Sequence, residues 1–302
     1  RRTLAKARMV ASVMTGTVSD IGRLVAASGD RGKLREIIDQ IVARKRELIE
    51  EPELIAAIDE ALGGAYFRLG EFPRAEALFL EALKLRKRVQ DPDAPEIAQC
   101  LNYLGLVYSA QSRWKEAETC HHDALELQRA HFGPQHAIVT ETMATLGWVL
   151  AQQAKLDEAE HLLRLVVARQ RELNSARHPT VATALTRLGG VLTQAGRVSA
   201  AEEVLREAYA IHIEAFGRTS SEVASSLNVL AVTVALDLPR LQEAIQLYRE
   251  AFEIRERLAK SDLAARVASA ARDAARPPIV QPSNAAPAIA DPRTIADARP
   301  AS

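Results

Sequence analysis

The residues whose types could do chemistry gather in one stretch. Cys120-His121-His122 sets three potential metal ligands side by side, and Ser112-x-x-Lys115 places a hydroxyl three residues before an amine, as in some acyl-transfer nucleophiles. Neither pattern suits its chemistry. Consecutive helical residues point about 100° apart, so three in a row do not converge on one ion, and zinc ligands normally arrive as spaced pairs. The Ser-x-x-Lys falls in a turn and lacks the motifs that accompany it in acyl-transfer enzymes. A phosphate loop, a dinucleotide glycine fingerprint, a kinase Gly-rich loop, a His-Arg-Asp triplet and a His-Glu-x-x-His are all missing from the sequence. The expectation is a chain with no catalytic residue, no metal and no cofactor.

What positions these residues is a repeat. A leucine followed by a small residue recurs at Leu62-Gly63, Leu104-Gly105, Leu146-Gly147, Leu188-Gly189 and Leu230-Ala231, a constant step of 42 residues. Alanine recurs at Ala75, Ala117, Ala159, Ala201 and, one residue late, Ala244, which implies an insertion near Leu238-Pro239. Another position reads Ala82, Ala124, Val166, Ala208 and Ala251. Leu101, Leu104, Gly105 and Tyr108 share one face of a first helix, and Ala117, His121 and Ala124 share one face of a second. A short turn, Gln111 to Trp114, separates them. The small residue lets the two helices approach closely. Each hairpin alone leaves an apolar face bare, and stacking hides it, so the fold expected is all-α, a right-handed superhelical solenoid. In this frame Cys120 stands where Leu78, Leu162, Val204 and Leu247 stand. His121 replaces Phe79, Leu163, Leu205 and Tyr248, and His122 replaces Leu80, Arg164, Arg206 and Arg249. Packing explains the triplet.

The pattern Leu-x-x-Leu-Gly-x-x-Tyr, followed by a second-helix Ala, aromatic and Ala, resembles the tetratricopeptide repeat (TPR). With its 42-residue period, the segment HPTVATALTRLGGVLTQAGRVSAAEEVLREA at 178–208 is similar to the extended variety found in kinesin light chains and many bacterial proteins. The resemblance covers 54–260 and implies five repeats, at about 54–92, 96–134, 138–176, 180–218 and 222–260. Leu150, Leu192 and Val234 replace the tyrosine, and the proline that closes a shorter repeat is missing. It further implies a concave groove lined three residues before, one after and four after the small residue. Those positions hold Glu60, Gly64 and Phe67; Asn102, Leu106 and Ser109; Ala144, Trp148 and Ala151; Thr186, Gly190 and Thr193; and Asn228, Val232 and Ala235. Asn102 and Asn228 match asparagines that bond a peptide backbone in the extended family, where an amide supplies donor and acceptor together. Ala144 and Thr186 interrupt that row, and Trp148 is the anchor candidate. With no lysine or arginine at these positions, a carboxylate clamp is not expected.

Lys+Arg and Asp+Glu both number 39, without the basic excess of a nucleic-acid binder, so the partner expected is a protein or peptide. Two cysteines give no disulfide framework, and no run of 18 apolar residues offers a membrane span. The default compartment is therefore the cytoplasm. Residues 1–50 read as two amphipathic helices around Ser28–Gly32, capping the array. From 261 onward a weak helix gives way to an Ala/Pro/Arg-rich stretch that reads as disordered. Arg272 and Asp273 stand where a sixth Leu-Gly would fall, so the array stops at five. His136, His178, Phe132-Gly133 and Phe216-Gly217 read as punctuation between repeats. The opening Arg1-Arg2 without methionine suggests a piece of something longer, and the segment from Arg35 to Arg88 is similar to the start of TPR arrays in large bacterial serine/threonine protein kinases. That resemblance implies a regulatory or substrate-recruiting arm, placed outside the cytoplasm if the parent spans a membrane. A signalling ATPase or a transcription regulator is the weaker alternative, and the sequence upstream of Arg1 separates them.

Overall fold

The computed structural model describes residues 51–274 together with Gly32, Arg35, Glu36, Ile38, Asp39, Gln40 and Val42. Expectations for the rest of 1–50 and for 275–302 lie outside the described residues. The chain is all-α: ten α-helices follow one another between 51 and 274, with no strand among the described residues. They pair as α1 (Pro52–Leu69) with α2 (Phe72–Val89), and α3 (Pro95–Ala110) with α4 (Trp114–Phe132). α5 (Ala137–Gln152) pairs with α6 (Leu156–Leu173), and α7 (Pro179–Gln194) with α8 (Val198–Phe216). α9 (Ser221–Ala235) pairs with α10 (Leu241–Ala274), and a 3₁₀ turn at Leu238–Arg240 absorbs the inserted residue.

Each of the first four hairpins turns in the same way. Gly70, Ser112, Ala154 and Gly196 take left-handed backbone, with φ of 81°, 59°, 60° and 72°. The next residue closes the motif by donating back to the first helix, as in Arg113 N–H to the Tyr108 carbonyl at 2.8 Å and Lys155 N–H to Leu150 at 3.0 Å. First helices start on proline at Pro52, Pro95 and Pro179, whose missing N–H costs nothing there. His136, His178 and Ser220 cap three helices in register, each accepting a hydrogen bond from a first-turn N–H.

The two helices of a hairpin meet at the small residue. A methyl group built on Gly63, Gly105, Gly147 or Gly189 would come within 2.9, 2.6, 2.9 and 2.4 Å of Phe79, His121, Leu163 and Leu205 respectively. Those four side chains are buried. Burying a Leu or Phe contributes about 1.5–3 kcal/mol, against about 1 kcal/mol for a glycine inside a helix, so the close approach wins. In the fifth hairpin Ala231 fills the gap with its own methyl, and Tyr248 at the matching position is 39% exposed.

First helices touch the first helices of neighbouring hairpins, α1 on α3, α5 on α7 and α7 on α9. Second helices are bridged by long side chains, Arg171 to Glu207 at 2.7 Å and Arg206 to Glu243 at 2.9 Å. The ribbon therefore curves with first helices on the inside. An acid–base series locks neighbours in register. The acids Glu76, Glu118, Glu160 and Glu202 follow the signature alanine, and each meets the closing residue of the next hairpin's turn: Arg113, Lys155, Arg197 and Arg240. At the N-terminal end Ile38 is buried against Leu54, Ile58 and Phe79, Asp39 accepts from Tyr66 and Arg74, and Arg35 faces Glu71 at 3.7 Å. Gly32, expected in a turn, is helical. α10 runs 34 residues, so the weak helix expected beyond 261 is its continuation.

Candidate functional site

The inner face carries one exposed apolar row. The residue after each small position gives Leu106, Trp148 and Val232, exposed by 39%, 40% and 40%, with Gly64 and Gly190 completing the row. Trp148 is held edge-on to Trp114, with ring centroids 5.3 Å apart and planes at 81°. The other expected positions divide. Ser109 and Thr193 are buried, since four residues on from the small residue the first helices converge; Thr193 bonds Thr233 across that seam at 2.7 Å. Glu60 is turned inward rather than to solvent, paired with the Arg86 guanidinium at 2.8 Å and accepting from the Cys100 thiol at 3.1 Å. Phe67 is half-buried against Phe72.

The polar row is committed to the fold in part. Asn102 donates to Thr142 at 3.0 Å and accepts from the His121 Nδ1–H at 3.0 Å. Thr186 donates to the Ala182 carbonyl and meets Ser226. Asn228 is half-buried and its amide makes no hydrogen bond among the described residues. These bonds join position three-before of one hairpin to position five-before of the next, so they brace successive first helices against each other.

Beneath that row lies a second one that residue identity hides. Arg86, Gln128, Gln170 and His212 stand 42 residues apart on successive second helices and point between two first helices. Arg86 meets Glu60, Gln170 bonds Asn174, and His212 meets Ser226 at 2.8 Å. Gln128 is 2% exposed, yet its Oε1 has no partner among the described residues. It floors a pocket of about 430 Å³ between α3 and α5, walled by Asn102, Tyr103, Leu106, Phe132 and Ile138. Glu96 and Glu141 are the acidic residues on its rim. Gln128, Tyr103 and Glu141 were not among the expected site residues; a polar residue recurring at one buried position was the signal available.

The ligand-like triplet disperses. His121 is buried, and burial pulls its pKa from 6.5 down to about 4, so it is neutral near pH 7. His122 is exposed. Burial, reinforced by Asp123, pushes the Cys120 thiol up to about 11, while burial and Glu60 push Cys100 upward as well, so neither is a ready nucleophile. Ser112 holds the left-handed turn position, and Lys115 is exposed. No helix among the described residues is long and apolar enough to cross a membrane.

The tetratricopeptide-repeat family model matches residues 54–121, 102–172 and 175–269. The chain belongs to the tetratricopeptide-repeat family. A search of curated proteins returns no match. Among solved structures, a Podosopora anserina kinesin light chain with nearly identical TPR-like repeats superposes at a TM-score of 0.58 and 20% identity, over 70% of this chain and 99% of that one. BtubC of P. vanneervenii gives 0.56 and 20%, over 85% and 96%. A Rap protein complexed with Competence and Sporulation Factor gives 0.63 and 15%, over 82% and 65%. At these identities the likeness is one of fold, and it places the TPR array among superhelical repeat proteins. None of the three structures bears on an upstream kinase.

Proposed function

We propose that the array is a non-catalytic scaffold that binds a protein or peptide segment along its inner face. The observation that carries this is the exposed row Leu106, Trp148 and Val232, three apolar side chains on successive or near-successive first helices of one curved surface. Apolar anchors at regular spacing beside half-buried amides suit an extended chain, which offers alternating side chains and backbone groups. Trp148 is the anchor, Leu106 and Val232 extend the contact, and Asn102, Thr186 and Asn228 supply polar complements. The Rap protein of this fold, solved with Competence and Sporulation Factor, supports a bound partner.

The array's two tryptophans are the touching pair Trp114 and Trp148, so intrinsic emission reports occupancy at the junction of the second and third repeats. Peptides selected from a displayed library are titrated against the full chain. Trp148→Ala is expected to weaken binding about tenfold or more, the effect of losing an interface anchor, and Val232→Ala less. Full affinity in Trp148→Ala, Leu106→Ala and Val232→Ala alike would remove the inner face as the site.

A further inference from the structure

The pocket floored by Gln128 has a chemistry of its own. Of the four equivalent polar side chains on the second helices, three are answered by neighbours: Arg86 by Glu60, Gln170 by Asn174 and His212 by Ser226. Gln128 makes no such bond: its acceptor oxygen is buried and unanswered among the described residues, whereas His212, whose Nε2 is also unanswered there, at least engages Ser226 through Nδ1. A buried acceptor left without a donor costs about 1–3 kcal/mol, which a ligand donor at that point would recover. Around it stand aromatic and aliphatic walls, Tyr103 (stacked on Phe79 at 5.0 Å), Phe132, Leu106 and Ile138. At the rim stand Glu96 and Glu141, and no lysine or arginine lines the pocket. Its histidine, His121, is neutral, with Nδ1 turned to Asn102 and Nε2 a second buried acceptor unanswered among the described residues.

Resting on the inner-face reading above, we infer that this pocket takes a cationic side chain, arginine or lysine, of the bound segment. The alkyl stem lies on Tyr103, Phe132 and Leu106, as long basic side chains do on apolar surface. The charged head donates to the Glu141 or Glu96 carboxylate at the rim, where charge-assisted bonds are the strong ones, and a turn of the Gln128 side chain toward the pocket brings its covered Oε1 to the same head. The neighbouring charges leave this polarity in place. Arg86 lies within electrostatic reach of Glu96 but is committed to Glu60, and Arg187, within reach of Glu141, lines the next seam, a pocket of about 580 Å³. That next pocket holds both signs and lacks an orphaned floor, since its Gln170 is paired. Selectivity for a base is thus expected at the α3–α5 seam and not at the α5–α7 seam.

The test uses the full chain, ¹⁵N-labelled, with four blocked pentapeptides, Ala-Ala-X-Ala-Ala, where X is arginine, lysine, citrulline or glutamate. The Gln128 side-chain amide resonance and Trp148 emission are read together. Arginine and lysine peptides are expected to shift Gln128, with citrulline about tenfold weaker and glutamate silent. Glu141→Gln and Gln128→Leu should each weaken the basic peptides severalfold, Glu141→Gln being an exposed change that leaves the fold intact. Equal binding of citrulline and arginine, or no Gln128 shift with any peptide, overturns the assignment. Library-selected peptides that move Trp148 but neither touch Gln128 nor prefer a base overturn it too, while leaving the inner-face reading standing.

Discussion

Two adjacent glycines show how finely the hairpin seam is set. On Gly189 an added methyl would sit 2.4 Å from Leu205 Cγ, whereas on Gly190 its nearest neighbour, Val229, is 4.0 Å away. Both are helical, so each alanine gains about 1 kcal/mol of helix preference. At Gly189 that gain is outweighed by overpacking of about 1–3 kcal/mol, because the atom in the way is a branch point rather than a flexible tip. Gly189→Ala is expected to lower the denaturation midpoint and Gly190→Ala to raise it; a rise in both would mean the seam is slack. His121 makes a second prediction. Its folded pKa of about 4 lies below the ordinary 6.5, so between those values the unfolded chain binds a proton that the fold resists. Stability is therefore full above about pH 6.5 and falls as pH drops toward 4, by up to about 3 kcal/mol, and is flat below. His121→Leu should flatten its share of this limb in urea titrations at pH 7 and pH 4.5, since Leu163 and Leu205 fill the same place. His212, lowered by its own burial, keeps the remainder. An unchanged slope would show that His121 is not the resisting group.

Helices and turns were legible because their signals are residue types with strict backbone or volume demands. Leu-Gly pairs and signature alanines can be read by identity alone, and the groove positions follow from their spacing to the small residue. The acid–base series and the polar floor could not be read so easily. Arg86, Gln128, Gln170 and His212 share only polarity, and the basic partners are three arginines and one lysine, with Arg240 a residue out of register. The groove positions were legible in angle but not in depth: Ser109 and Thr193 point inward, yet converging first helices cover them. Glu60 went unread for another reason, because its partner Arg86 lies in the polar row. The acid–base series yields a prediction at this scale. Hydrogen bonds from Arg240, then Arg206, hold the Glu202 carboxyl down to about 2 from its ordinary 4.5. That stabilisation is full above about pH 4.5 and is lost as pH falls through 2, a window that lies mostly below the histidine limb. A double-mutant cycle of Glu202→Gln with Arg240→Gln is expected to give a favourable coupling at low salt that shrinks in about 1 M NaCl. A coupling near zero at low salt would make the series a by-product of packing.

Across the whole molecule these local devices are distributed unevenly. A stacked-repeat protein is nearly one-dimensional: each hairpin is held by its own seam and by two neighbours. The first hairpin has Ile38, Asp39 and Arg35 against its outer side, and the central three have both partners. The fifth lacks several supports together. Ala231 occupies the space that glycine leaves open elsewhere, and Tyr248 stays 39% exposed. Ile245 stands where the four earlier hairpins carry an acid, so the register-locking series ends there. Phe252, at the place of Leu83, Leu125, Val167 and Tyr209, is 67% exposed with no further hairpin described over it. Losing the burial of one large side chain alone is worth about 1.5–3 kcal/mol. Native-state hydrogen exchange is therefore expected to show α9 and α10 opening at a free energy lower by about 2 kcal/mol or more than α5 to α8, as a separate cooperative unit. Equal protection from α3 through α10 would show instead that the array opens as one body, and that the methyl of Ala231 and the bare face of Phe252 carry no energetic weight.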